Sequence, residues 1–508
     1  MGKYIIAHDF GTTGNKATLY NEEGQLINST FSGYPTYYPR VNWAEQDPHD
    51  WWEAVCASTK KLVNDSKINK KEIAVISFSA QMMGCLPVDK KGEPLRRSII
   101  WADQRSIEQA DYLEKQLGEE KVYNITGHKI SPTYSLEKIM WIKDNEPEIY
   151  KKTFKFLQAK DFIIYKLTGN YVTDYSDACG MNLFDINKKE WSVDIIQSAD
   201  VEINKLPKPH SSFDIAGKVS QVVANKVGLN PGTPVVIGAG DGASATVGAG
   251  VVEKGHAYNY IGSSSWIALA TEKPIIDQER QTFNWIHMDP ELYIPCGTMQ
   301  SAGASYNWLK ENICLMEKET AVKMGYSPYE IMNIAVRKSK PTSNNLIFLP
   351  YLMGERSPHW NPDARGAFIG LTLKHERKDM IRSVMEGVTY NLKIISDIFE
   401  KFIEFNSIRV IGGGAKARVW REIMSDIYNK EILKPDILEE ATSLGAAVAG
   451  GVGVGIFDSF EIVKKLNPVT EKINPNERNV KKYKKFYPLF KKSYYALKEI
   501  YQEMSLLD

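Results

Sequence analysis

The chain is predicted to be an α/β protein built from two duplicated halves that face each other across an interdomain cleft. Three observations predict it. Its 508 residues exceed what one hydrophobic core commonly serves, so two large domains are expected. A strand–turn–strand unit with glycine and consecutive hydroxyls in its turn opens the chain, and the same plan returns at Gly262, 251 residues after Gly11. Several further apolar runs stop in glycine, amide or carboxylate groups, and α/β sheets bind ligands at such strand ends.

Composition narrows the function classes. Hydrophobic residues at 43% and charged residues at 25% describe an ordinary soluble globular protein. Lys+Arg of 63 against Asp+Glu of 62 leaves a net charge of +1, so no nucleic-acid or membrane partner is expected. Cys56, Cys85, Cys179, Cys296 and Cys314 are scattered without a C-x-x-C, and are read as reduced thiols of a cytoplasmic protein. The start of the chain lacks a basic region followed by a long apolar run, so no signal peptide is expected. No stretch reaches the ~18 uninterrupted apolar residues of a membrane span.

Residues 4–7 read as a buried strand and 16–20 as its partner. Between them stand Asp9, Gly11, Thr12, Thr13 and Gly14. Glycine amides can approach an anion, threonine hydroxyls donate to phosphate, and a strand-end carboxylate can hold hydrated Mg²⁺. Taken alone, this stretch reads equally as an ordinary hairpin. A helix is expected over 50–64, capped by Asp50, with Trp51, Ala54, Val55 and Leu62 on its core face. The strand at 73–79 empties into Gln81, Met82 and Met83. The apolar run at 99–100 ends in Trp101, Asp103 and Arg105. Carboxylate and guanidinium bind hydroxyls and an indole covers C–H groups, so these residues suit a polyhydroxylated ligand. The competing reading is a core tryptophan beside a surface ion pair. Helices are expected over 108–117, 135–145 and 159–167. Asp174 and Asp177 lack a third ligand in register, so a solvated loop is expected there.

Residues 234–245 read as strand, glycine turn and helix, and Gly238-x-Gly240-x-x-Ala243 meets the dinucleotide-binding pattern. A dinucleotide site also wants a carboxylate at the end of the next strand, yet 257–261 runs into Gly262-Ser263-Ser264-Ser265. The glycines are therefore read as making room around Asp241, a candidate general base at a strand–helix turn. A long helix is expected over 377–402 and a strand over 408–411. Gly412-Gly413-Gly414-Ala415 would open a helix to about residue 428 and offer adenosine a flat surface. A helix from 440 would wall the same pocket, and a terminal amphipathic helix over 479–504 would dock Tyr483, Phe486, Tyr487 and Phe490.

These residues resemble the FGGY carbohydrate kinase family of the actin/hexokinase/heat-shock ATPase superfamily, essentially end to end. The resemblance is carried by Asp9-Phe10-Gly11-Thr12-Thr13 and Gly262-Ser263-Ser264 (phosphate motifs), Gly240-Asp241-Gly242-Ala243 (base motif) and Gly412-Gly413-Gly414-Ala415 (adenosine motif). Lys138-Ile139-Met140-Trp141 and residues 366–371 match its two signatures. Six modest motifs in the right order are specific. Within the family, Trp43 to Pro48, Gln81-Met82 and Gly354-Glu355-Arg356-Ser357-Pro358-His359 look most like xylulokinases. Met83 stands where xylulokinases usually carry His, and Trp101-Ala102-Asp103 replaces Trp-Asn-Asp and resembles gluconate kinases. The Arg-Glu pair of glycerol kinases has no counterpart at Met82-Met83.

The resemblance implies two ribonuclease-H-like domains, 1–245 and 246–508, each a mixed five-stranded sheet flanked by helices. It implies ATP and Mg²⁺ as cofactors and transfer of the γ-phosphate to a small sugar. D-xylulose is the first expectation; gluconate or another ketopentose or polyol is the alternative. Asp241 would accept the proton, Asp9 would hold Mg²⁺, and Gln81, Met82, Met83, Trp101 and Asp103 would line the sugar site. Gly11, Thr12, Thr13, Lys16, Gly262, Ser263, Ser264, Gly413, Gly414 and Ala415 would bind ATP. Dimers are common in the family, so a homodimer is an open expectation. A nucleotide-dependent scaffold of the actin or chaperone kind shares the clamp, but has no need of the sugar-facing set. A nicotinamide enzyme built on residues 238–243 ranks far behind.

Overall fold

The computed structural model describes residues 3–507; Met1, Gly2 and Asp508, to which the expected domain limits extend, lie outside them. The first half is built on strands β1 (Tyr4–Phe10), β2 (Gly14–Asn21) and β3 (Leu26–Gly33), helix α1 (Pro48–Ser66), and strand β4 (Ile73–Ala80). There follow helices α2 (Ala159–Thr168) and α3 (Tyr175–Cys179), strands β5 (Ile215–Lys218), β6 (Pro234–Val236) and β7 (Ala239–Gly240), and helix α4 (Asp241–Gly248). The second half carries strands β8 (Ala257–Ile261), β9 (Ser265–Leu269), β10 (Phe283–Ile286) and β11 (Tyr293–Met299), then helix α5 (Arg377–Glu400) and strand β12 (Ser407–Ile411). Helix α6 (Arg418–Tyr428), strand β13 (Glu431–Pro435), helix α7 (Ala441–Gly453), strand β14 (Val469–Ile473) and helix α8 (Glu477–Ser505) complete it.

The sheets have one topology. In the first the order is β3-β2-β1-β4-β6-β5, and in the second β11-β9-β8-β12-β13-β14 with β10 added outside β11. Each opens with an antiparallel hairpin, β1–β2 or β8–β9, whose first strand pairs in parallel with β4 or β12. Among the described residues each sheet has seven strands, two beyond the five expected: β5 and β7 in the first, β10 and β14 in the second.

Alternation sorts the strand residues onto two faces. Ile6, Phe10, Ile76 and Phe78 pack with Trp51 of α1 and Phe162 of α2 on the outer face of the first sheet. Ile5, Ala7 and Val75 face inward, into a core shared with Tyr258 and Ala268 of the second sheet and with the small residues of α4 and α7. Helix α7 thus comes from the second half yet lies on the first sheet, where a Cβ added at Gly450 would meet Ser77, Val75 and Ile5 at 3.0–3.5 Å. The approach of α4 to α7 is backbone on backbone, since a Cβ at Gly445 would sit 2.0 Å from the Ser244 carbonyl oxygen. Gly445→Val is therefore expected to force the helices apart and destabilise by about 1–3 kcal/mol in urea unfolding; an unchanged midpoint would show that the crossing yields freely.

Three local expectations are corrected. Asp47, not Asp50, caps α1, accepting the His49 N–H at 3.0 Å. Pro48 needs no donor partner and its fixed φ suits the first helical position, so the helix starts earlier than its apolar pattern. The triple glycine does not open one helix: a 3-10 turn, Gly413–Lys416, is separated from α6 by extended Ala417. Helix α7 belongs to the central core rather than to the wall expected beside the triple glycine. Among the described residues, no helix is long and apolar enough to cross a membrane.

Candidate active site

The two hydroxyl-bearing turns are built alike. The Gly11 N–H donates to the Gly14 carbonyl at 3.0 Å, and the Gly262 N–H to the Ser264 carbonyl at 2.9 Å. In the first turn the carbonyls are drawn back into the protein. Tyr34 Oη donates to the Gly11 oxygen at 2.6 Å, Gln46 Nε2 to that of Thr12 at 2.7 Å, and the Tyr34 N–H to that of Thr13 at 3.2 Å. Carbonyls held inward suit a loop that presents amides to an anion.

The second turn borders a cavity of about 1150 Å³. Gly262, Ser263, Gly413 and Gly414 supply one side of it, and Tyr306 and Trp420 supply aromatic surface. Gly413 faces open space, whereas Gly414 lies on Ile261, so one glycine opens the cavity and the next packs the turn against β8. Ala415 is buried behind that surface and does not line the cavity. Nothing local in the sequence marks Tyr306 and Trp420 as a cavity wall, and the sequence does not single them out.

Asp241 is the first residue of α4 and opens to solvent in the cleft; its Oδ1 accepts the Gly242 N–H at 2.7 Å. Asp9 lies at the carboxyl end of β1, level with Ser79 of β4, which is in turn level with Ala239 of β7. Adjacent parallel strands thereby bring the carboxylates to one sheet edge. Although Asp241 keeps contact with solvent, the protein around its carboxyl removes part of its hydration, and this, followed by repulsion from Asp9, pushes it up to about 7. Burial raises Asp9 as well, against the pull of Lys16. Lys16 itself reaches Glu440 at 3.4 Å, and no ion pair involves Asp9 among the described residues. The turn at Asp241 is tied to the second half. Tyr258 Oη donates to the Gly242 carbonyl at 3.2 Å and accepts from Trp266 Nε1 at 2.8 Å. Tyr260, two residues before Gly262, is raised by burial and then by the negative charges of Asp241, Asp9 and Glu439. The groups expected at the base, the metal and the second turn thus feel one another across one cleft.

Gly238 and Gly240 answer to packing. A Cβ at Gly238 would lie 1.9 Å from the Phe78 carbonyl oxygen, and one at Gly240 2.4 Å from Met82 Sδ. Neither glycine faces a ligand, which removes the dinucleotide reading. Met82 is accordingly buried under Gly240, and Gln81 is buried beside it. Met83 is half-buried with φ 62°, its carbonyl accepting from Lys138 Nζ at 2.7 Å. Trp101 Nε1 donates to Thr12 Oγ1 at 3.0 Å. Asp103 is a correction. It is fully buried, and its oxygens accept from the Ala44 N–H at 2.5 Å and from Arg105 Nε and Nη2 at 2.9 and 2.7 Å. With its acceptors taken, it fixes the loop behind Trp101 and keeps no free oxygen for the sugar contact expected of it.

Asp174 and Asp177 are corrected too. Both are fully buried with Asp161 around Lys160, whose Nζ lies 3.0, 3.1 and 3.2 Å from Asp174, Asp177 and Asp161. Ser176 joins this cluster to the base motif, donating to Asp174 at 2.6 Å and accepting the Gly240 N–H at 2.9 Å. Among the described residues no group of three or more His, Cys, Asp or Glu forms a metal cluster.

Residues 4–248 match the N-terminal domain, and residues 257–454 the C-terminal domain, of the FGGY family of carbohydrate kinases. The chain belongs to that family. It is a sugar phosphotransferase. It is 34% identical over 468 residues to a gluconokinase of Bacillus subtilis (strain 168), covering 92% of this chain and 90% of that one. It is 32% identical over 460 residues to a xylulose kinase of the same organism, covering 90% of each. A ligand-bound xylulose kinase from Lactobacillus acidophilus superposes with a TM-score of 0.91 at 28% identity, covering 99% of this chain and 100% of that one.

Proposed function

We propose that this kinase transfers the γ-phosphoryl group of ATP to a hydroxyl of a small sugar in the cleft between its halves, in the cytoplasm. The observation that carries this reading is that Asp241 at the head of α4 and Asp9 at the end of β1 share one sheet edge, with the Asp241 turn tied through Tyr258 to the hairpin of the second hydroxyl turn. Phosphoryl transfer needs alignment and charge neutralisation more than covalent chemistry. Asp241 accepts the proton of the attacking hydroxyl, and the turns at Gly11 and Gly262 grip the phosphates. Gly413 and Gly414 lie against the adenosine. Asp9, at the strand end and without an ion pair among the described residues, fits a hydrated Mg²⁺; that ion would neutralise phosphate charge.

D-xylulose, giving xylulose 5-phosphate, is the first substrate reading, on the match to xylulose kinases and the Gln81-Met82 pair. D-gluconate is the second, favoured by Met83 in place of a histidine and by Trp101-Ala102-Asp103-Gln104-Arg105. A coupled ADP-release screen over xylulose, ribulose, gluconate, glycerol and the pentitols decides between them. Release that ignores every sugar would favour the scaffold class.

A pH profile follows. A base works only deprotonated, so kcat/KM is expected to fall about tenfold per unit as pH drops below about 7, in proportion to the unprotonated fraction of Asp241. A profile flat down to pH 5 would contradict the raised carboxyl.

A further inference from the structure

Gln46 is fully buried between the sugar-side loops and the first phosphate turn. Its amide uses its whole hydrogen-bonding capacity. Nε2 donates to the Thr12 carbonyl at 2.7 Å and to Thr36 Oγ1 at 2.9 Å, while Oε1 accepts from Gln81 Nε2 at 2.7 Å and from Trp51 Nε1 at 3.0 Å. Gln81, by contrast, is left incomplete. Its Oε1 has no partner although the residue is only 6% exposed, and with Met82, Gly84 and Trp101 it lines a crevice that must widen before a hydroxyl can enter. A buried acceptor without a donor costs free energy until one arrives, and a sugar hydroxyl is such a donor.

We propose that Gln46 is a positioning residue that couples sugar binding at Gln81 to the phosphate grip at Thr12. A hydroxyl donating to Gln81 Oε1 polarises that amide and strengthens its N–H bond to Gln46. Gln46 in turn binds the Thr12 carbonyl more firmly, as in any chain of hydrogen-bonded amides. That carbonyl must stay turned inward for the Thr12 and Thr13 amides to face an anion. Trp101 holds the same residue by its hydroxyl, so Thr12 is fixed at two points by groups from the sugar side. The inference rests on the reading of these two sites given above.

The test is calorimetric titration of Mg²⁺-ADP, with and without saturating D-xylulose or D-gluconate, into wild type, Gln46→Glu and Gln81→Glu. Titrated at about pH 8.5 to keep the new carboxyls ionised, a glutamate at 46 keeps size and acceptors but cannot donate to Thr12, and one at 81 cannot donate to Gln46. Expected are sugar-enhanced ADP binding in wild type and about tenfold weaker ADP binding in Gln46→Glu even without sugar. Loss of sugar enhancement is expected in both variants, with the sugar-free ADP affinity lowered more in Gln46→Glu than in Gln81→Glu. Wild-type enhancement retained by either variant, absence of enhancement in wild type, or unchanged ADP affinity in Gln46→Glu would overturn the inference. If Gln46→Glu does not fold, Gln81→Glu carries the test; if neither sugar binds, the sugar-free ADP affinity of Gln46→Glu does. Failure of the catalytic reading shows elsewhere, as normal turnover of an Asp241 variant.

Discussion

Asp241→Asn is expected to lower turnover by about 10²–10⁴-fold with little change in the KM of the sugar, the loss typical of a missing general base. Asparagine keeps the size of the side chain and can still accept the Gly242 N–H through its amide oxygen. What it cannot do is take up the proton that the attacking hydroxyl must shed. Because α4 and its ties through Tyr258 and Ser176 do not involve the carboxylate, the cleft should hold its shape. Steady-state kcat and KM measured above pH 8 separate this from the pH effect. A near-normal kcat there would strip Asp241 of the assigned role.

Lys160→Met should produce the largest loss of stability. Its ammonium group lies among three carboxyl groups, all of them fully buried. Burial already drives Asp161 and Asp177 above the ordinary carboxylate range, and the lysine is the main force opposing it. Removing one member of a buried ionic group typically costs about 3–5 kcal/mol, because the remaining charges are left without water or partner. Urea unfolding of the variant reads this directly. Asp177→Asn is the contrast: it leaves Lys160 the Asp174 and Asp161 carboxylates at 3.0 and 3.2 Å, so it should cost less, about 1–2 kcal/mol. Equal losses in the two variants would mean that bulk rather than charge holds the cluster.

Much of this site is legible in the sequence because its parts are local. A strand, a glycine and two hydroxyls occupy consecutive positions at Gly11–Thr13 and again at Gly262–Ser264, and Asp241 follows its glycine directly. What escaped notice is set by contacts between distant segments. Lys160 meets Asp174 and Asp177 only when α2 packs beside α3, so the pair reads as a loop when its lysine is out of view. Asp103 reads as a free carboxylate until the Ala44 N–H and Arg105 close on it. Gln46 lies in the Trp43–Pro48 stretch that resembles xylulokinases, but its partners Thr12 and Gln81 are 34 and 35 residues away, so its place between them is not legible locally. Glycine proved the most ambiguous residue. Gly238 and Gly240 satisfy a nucleotide pattern yet serve close packing on β4 and Met82, whereas Gly413 opens a real cavity.

The placement of α7 against the first sheet has a consequence for dividing the polypeptide. Severing the chain near residue 250 would leave an N-terminal fragment whose inner strands Ile5, Ala7 and Val75 lack the helix that shields them from water. Each piece made alone should aggregate, while co-expression of the two should restore a working enzyme by complementation. The midpoint of this protein is thus a natural place to split a reporter, with fragments that depend on each other to fold.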